Sequence, residues 1–330
     1  MSKIGFSLHK RFTKTGTKSK SSGYPEAQFS LPSTINWMRS MALIVKHEGI
    51  NSAKANTLYA TIPKRSIPEE EENTIFEQLL FSLHDCSALR ALKHSPNKVD
   101  VARIGAVSWY YGIYTAASAM ITAQNGSFQD NHNSTARAWD QQIASRIPIC
   151  PPFDARISSL VKKNTDEELN KLSGDNEFSL IGKAPSTIDE ARAACHSYLS
   201  GSVDWWREKA EENIKNSKEF RELKVPDFRR KRARELRDKH LDKKTIAFLH
   251  QAIRYRGKVQ YRDSIFLAYG NSINTRLSEY INDLSIVLEA FVCLSGIFCS
   301  KRLDSTVWDN FLNDLEAKHA FSLNPIFLWK

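Results

Sequence analysis

The sequence predicts an all-α fold, a helical bundle with two helical lobes and a flexible basic N-terminal arm, and three observations carry that reading. The long apolar runs have helical spacing, no alternating apolar–polar run is long enough to argue for a sheet, and 13 Gly with 11 Pro are few breakers for 330 residues. Hydrophobic residues at 41% and charged residues at 25% are globular values, and the chain is long enough to bury at least one sizeable core. No internal repeat of fixed period is present.

Residues 1–30 are read as the arm. Lys3, Lys10, Arg11, Lys14, Lys18 and Lys20 stand there among Ser, Thr and Gly, with no acid before residue 24, too little apolar surface to offset the entropy of ordering. A first lobe is expected over 31–150. Its clearest helix starts near Ser66, with Pro68 in the first turn and Glu69 to Glu72 where the helix dipole favours anions. Ile75, Phe76, Leu79, Leu80, Leu83, Cys86, Leu89 and Leu92 then recur on one face. A second helix is predicted from about Asp100 to Ala123, ending before Gly126, and a third after Ser134.

Pro148, Pro151 and Pro152 break regularity, so residues 151–186 are read as a loop-rich connector with further stops at Gly174 and Gly182. The second lobe, 187–330, opens with a Thr187–Glu190 capping box and a helix reaching to about Asn216. Asp227, after Pro226, is expected to cap the next helix, and further helices are expected near 228–240, 243–255, 258–269, 273–299 and 305–317.

Several classes of function find no support. The stretch Met1–Lys20 has no apolar core of a leader sequence, so a cytoplasmic location is expected. Leu284–Cys299 is apolar but short of the roughly 20 residues needed to span a bilayer, and Glu289 interrupts it; it reads as a core helix, and no membrane contact is expected. Five widely spaced cysteines with no Cys-x-x-Cys pair suggest neither a disulfide framework nor a zinc ribbon. The nine histidines lack metal spacing. No Gly-rich phosphate loop, nucleophile elbow or kinase signature occurs, so no metal and no cofactor are expected.

Charge is the informative property. Between Phe228 and Lys258 lie twelve cations and three acids, a net +9 where the whole chain carries +10. A concentrated field of one sign is unfavourable to maintain unless a partner of opposite sign uses it, and phosphate backbones are the commonest such partner. Arg230, Arg234 and Arg237 fall at i, i+4 and i+7, which predicts a basic stripe on one helix. Arg254, Tyr255, Arg256, Tyr261 and Arg262 add aromatics among cations, a composition suited to stacking on unpaired bases. The expected nucleic-acid contacts are Arg229, Arg230, Arg234, Arg237, Lys243, Lys244, Arg254, Tyr255, Arg256, Lys258 and Arg262. The competing expectation is a solvated charged helix paired with acids elsewhere, such as Glu69 to Glu72.

The segment Ala106-Val107-Ser108-Trp109-Tyr110-Tyr111-Gly112-Ile113-Tyr114-Thr115-Ala116-Ala117-Ser118-Ala119-Met120, followed by Asn131-His132-Asn133, resembles a core helix of HEPN domains. The resemblance covers about 40 residues. It implies a bundle of four or five helices, often dimeric, found in prokaryotic toxin–antitoxin and antiphage systems, whose active members cut RNA with an Arg and a His four to six residues apart. Trp109 stands where that Arg often lies and Thr115 near the place of the His, so the pair of suitable spacing here is Arg234 with His240.

The expected function is a non-catalytic helical nucleic-acid-binding subunit, part of a prokaryotic defence or toxin–antitoxin system. The alternatives are a metal-independent ribonuclease of HEPN type using Arg234 and His240, and a scaffold that binds a partner protein through the Trp205–Trp206 region, with the basic stretch serving an acidic partner; a protein partner or a homodimer is expected as a further possibility.

Overall fold

The computed structural model describes residues 26–172, 178–260, 274–324 and 326–330. It is 73% helical and has no strand among the described residues. The helices, in chain order, are α1 (Glu26–Glu48), α2 (Ser52–Leu58), α3 (Glu69–Leu92), α4 (Lys98–Asn125), α5 (His132–Trp139), α6 (Lys162–Leu172), α7 (Ile188–Lys215), α8 (Lys218–Glu222), α9 (Lys231–Leu241), α10 (Phe248–Lys258), α11 (Asn274–Arg302), α12 (Ser305–Lys318) and α13 (Ile326–Trp329). A π-helical turn, Asp140–Ala144, continues α5.

The local signals act as their chemistry demands. Glu69 to Glu72 fill the first turn of α3. Asn97 caps α4 by accepting from the Val99 N–H, and Gly126 closes it in the left-handed region at φ 79°, where its N–H donates to the Thr122 carbonyl. At α7 the Thr187 hydroxyl accepts from Glu190 N while the Glu190 carboxylate reaches back to Thr187 N, so both halves of the capping box are made.

The bundle is built on α4. Helix α3 lies along it on one side and α11 on another, while α1 packs on α11 and carries α7 on its outer face. Gly112 permits the close approach of α4 to α11, because a Cβ there would stand 2.8 Å from both Leu288 methyl groups and 3.0 Å from Asp85 Cβ. Tyr110, Ala117 and Ile121 are buried in this bundle and Tyr114 is half-buried, as the helical spacing of the segment requires. Helix α11 contains a span, Arg276–Arg302, long and apolar enough to cross a membrane, and 83% of its apolar 18-residue stretch is buried inside the protein. Glu289 is accommodated by a two-pronged ion pair with Arg90 of α3 at 2.9 and 3.1 Å.

Two hydrophobic clusters form, but they do not divide the chain between 31–150 and 187–330. The larger unites residues 35–153 with Tyr198 and with 247–329, because α11 returns through the centre of the first bundle. The smaller draws on Ile157, Leu160, Leu169, Leu199, Val203, Ala210, Ile214, Phe220, Phe228, Ala233, Leu241 and Ile246. Ile157, Leu160 and Leu169 of the connector thus share a second core with α7, α8 and α9, while its Phe153 joins the larger one. Asp140, buried at the end of α5, ties the two together: it accepts from Arg156 Nε at 2.7 Å and from the Thr245 hydroxyl at 2.6 Å.

Other boundaries differ for identifiable reasons. Helix α1 already begins at Glu26, inside the segment expected to be an arm, and its Pro32 is within the helix. Asp227 caps no helix. Its carboxylate accepts from Arg229 N at 2.9 Å in a turn that carries Phe228 into the second core, and α9 then starts at Lys231 with Arg230 as an N-cap that makes no side-chain bond. The helix expected from residue 243 starts only at Phe248, because Ile246 is held extended against Ile157 by paired backbone bonds of 2.8 and 2.9 Å. Most of the helix expected over 258–269 lies outside the described residues, as do Tyr261 and Arg262.

One carboxylate in the α3–α4 contact makes stability depend on pH. Burial pushes the Asp85 carboxyl up to about 6, with the Ser108 hydroxyl, donating at 2.6 Å, pulling the other way. A folded-state value above the unfolded one means that the native protein holds this proton longer, so this group lowers stability as pH rises from about 4 to about 6. Asp85→Asn keeps an acceptor for Ser108 and removes the buried charge. It is expected to stabilise the protein by about 1 to 2 kcal/mol at pH 7 and by much less at pH 4. Urea unfolding of parent and variant at both pH values measures this; an equal difference at the two would show that Asp85 does not carry the effect.

Candidate nucleic-acid interface

The basic stretch separates into an outward group on α9 and its flanks and an inward group on α10. Arg229, Arg230, Lys231, Arg232, Arg234, Lys239, Lys243 and Lys244 are exposed. Three of the neighbouring cationic or titratable side chains are drawn into local pairs. Lys231 approaches Glu235 at 3.9 Å, Arg229 meets Asp227 at 3.3 Å, and His240 Nε2 lies 3.6 Å from Glu219 of α8. Removing the paired cations leaves Arg230, Arg232, Arg234, Lys239, Lys243 and Lys244 exposed with no ion pair among the described residues. Of the three acids in the stretch, Asp242 alone is in no ion pair. It instead accepts from the Ser159 hydroxyl at 3.0 Å. Glu69 to Glu72 do not neutralise the stretch: Glu71 pairs with Arg65 instead.

The expected stripe is interrupted at Arg237. This side chain is turned inward, bonded to Asp238 at 2.8 Å, 3.9 Å from Glu211 of α7, and laid over the Phe228 ring at 5.6 Å. Its position on α9 is shared with buried Ala233 and Leu241, so the body of the protein and not solvent occupies that side.

The α10 residues expected to touch nucleic acid are instead committed to the interior. Tyr255 is wholly buried, its ring 4.9 Å from Trp109 and 5.1 Å from Trp37, and its hydroxyl bonds that of Tyr280. It has no face left for a base. Arg254 donates to the Ser202 hydroxyl at 3.1 Å and lies over the Tyr198 ring at 5.1 Å. Arg256 donates to His132 Nε2 at 3.1 Å and covers the Tyr110 ring at 4.8 Å. Lys258 donates to the Ser33 hydroxyl at 2.6 Å. Aromatic residues between cations are here the packing surface of α10 against α1, α4 and α7.

Arg234 and His240 are six residues apart on α9, which at 3.6 residues per turn puts them about 120° apart around the helix. Arg234 points to solvent while His240 faces Glu219, so they share no cleft within one copy of the chain. Trp206 donates to the His250 carbonyl at 3.2 Å, and the Lys209 ammonium sits 3.7 Å above the Trp205 ring. The aromatic pair expected to dock a partner is thus half-buried and engaged within the chain.

Sequence reasoning gave His132 no contact of its own, only a place in the segment that resembles HEPN domains. Three tyrosine rings of α4 surround it, Tyr110, Tyr111 and Tyr114 at 5.4, 5.8 and 4.7 Å, and burial followed by the Arg256 charge holds its imidazole below the ordinary range. Because a guanidinium can only donate, Nε2 is the acceptor and Nδ1 carries the proton. Nothing in the spacing of Arg256 and His132, 124 residues apart, signals this pairing. Comparison with protein-family models, with curated proteins and with solved structures finds no match to this chain.

Proposed function

We propose that this protein is a non-catalytic nucleic-acid-binding subunit that grips the phosphate backbone through α9 and its flanks. The observation that carries the reading is the group of six exposed cations, Arg230, Arg232, Arg234, Lys239, Lys243 and Lys244, that form no internal ion pair. Held this close, they repel one another, and a polyanion relieves that repulsion while releasing its own counterions. The resemblance of residues 106–120 to HEPN domains favours an accessory subunit of a prokaryotic defence or toxin–antitoxin system. No catalytic step is assigned, because Arg234 and His240 diverge on their helix.

Binding of a labelled oligonucleotide across a salt series tests this. Arg230→Gln, Arg234→Gln and Lys243→Gln combined are expected to weaken binding for many sequences alike and to flatten the plot of log affinity against log salt by about two to three units. Arg237→Gln, which removes an inward cation, is expected to change the slope by less than half a unit. A triple variant that binds as tightly as the parent at moderate salt would overturn the proposal.

A further inference from the structure

We infer that the nucleic acid is a B-form double helix and that α9 lies in its major groove, a deepening that rests on the proposed function. Two independent observations support it. The first is what the surface lacks. Single strands are held by stacking bases on aromatic side chains, worth about 1–3 kcal/mol per base. Phe220, Phe228, Phe248 and Tyr255 are all buried, so among the described residues α9 and its flanks offer cations without one of these rings as a stacking platform. A surface of that kind favours the higher charge density of a duplex, about one charge per 1.7 Å of axis.

The second observation is the arrangement of charge around α9. At about 100° per residue, Arg232 and Lys239 fall about 160° and 140° from Arg234, on the opposite margin of the exposed face. Half-buried Asp238 with exposed Lys231 and Glu235 fall between the margins at about 40°, 60° and 100°, buried Ala233 lies on the reverse side, and buried Leu241 lies beside the Arg234 margin, about 20° from it. A helix with its side chains is about 10–12 Å across and the major groove of B-DNA about 12 Å wide. Seated there, Arg234 would meet the phosphates of one strand and Arg232 with Lys239 those of the other, while Lys231, Glu235 and Asp238 face the base edges, where carboxylates can accept from the cytosine amino group. A single strand could use only one margin. The major groove of A-form RNA is too narrow and deep to admit the helix.

The test compares a DNA duplex, an RNA duplex and single-stranded DNA of equal phosphate number by fluorescence anisotropy at one moderate salt concentration. The DNA duplex is expected to bind at least about tenfold tighter than either of the others. Methyl green, which occupies the major groove, should displace the protein, and netropsin, which occupies the minor groove, should not. Arg232→Gln and Arg234→Gln, singly, should each lower duplex affinity several-fold and lower it further together. Both side chains are exposed, and an unchanged circular dichroism melt confirms that the variants fold. Equal affinity for RNA duplex or single strand, or displacement by netropsin alone, would overturn the groove inference and leave the proposed function standing. No binding to any of the three would overturn both.

Discussion

Tyr255→Ala is expected to lower the free energy of unfolding by about 3 to 5 kcal/mol, the range found when a large buried aromatic side chain is truncated. The ring sits where α1, α4, α7 and α10 meet, against Trp37 and Trp109, and Trp37 in turn stacks on Tyr198 at 4.1 Å. Close-packed rings cannot collapse into the vacated volume, so the cavity cost adds to the lost transfer energy. Tyr255→Phe keeps the ring and loses the bond to the Tyr280 hydroxyl, and about 1 kcal/mol is expected. Neither the fold nor the salt dependence of oligonucleotide binding should change in the Phe variant. A Tyr255→Ala protein that unfolds at the parent's urea midpoint would show that the ring is not packed as described.

Arg302→Met is expected to be nearly as damaging, at about 3 kcal/mol, although it preserves the apolar stem. The guanidinium donates to the carbonyls of Pro63 at 2.7 Å, Gln124 at 3.0 Å and Ala123 at 3.3 Å, and has no carboxylate beside it. Two of those carbonyls belong to the last turn of α4, where the helix leaves acceptors unsatisfied and its dipole attracts cations. Arg65 shares the task, donating to Thr122 and Ala123 and joining Glu71. Removing Arg302 strands buried acceptors, each of which costs roughly 1–3 kcal/mol, less what Arg65 recovers. Arg302→Lys restores one donor and should recover only part of the loss. Urea unfolding of the three proteins orders them, and a Met variant as stable as the parent would contradict this account.

The elements readable in the sequence were those whose signals are local. The acids opening α3, the left-handed Gly126 closing α4, the Thr187–Glu190 box and the apolar length of α11 each act within a few residues of themselves. Helix α1 was overlooked behind its Pro32, although Trp37, Met38, Met41, Ala42 and Val45 recur at helical spacing. The inward turn of α10 was not readable. Arg254, Tyr255, Arg256 and Lys258 look like an exposed binding set until α1 and α7 supply Ser33 to Lys258 and Ser202 with Tyr198 to Arg254 from far along the chain. The charge of α9 was legible as composition, but that Arg237 turns inward depends on Glu211 and Phe228, contributed by α7 and the turn before α9. The extended residues at Ile246 likewise answer to Ile157, about ninety positions earlier.

The second hydrophobic cluster has a consequence for how binding could be observed. Helix α9 is anchored to it through only Ala233 and Leu241 with the partly buried Leu236, while α4 and α11 are enclosed by the larger core. Amide protons exchange with deuterated water through local openings whose cost follows the apolar contacts they break. Those of α9 should therefore exchange long before those of α4, and a bound polyanion should slow the α9 amides selectively, because a ligand that holds only the closed form stabilises it by mass action.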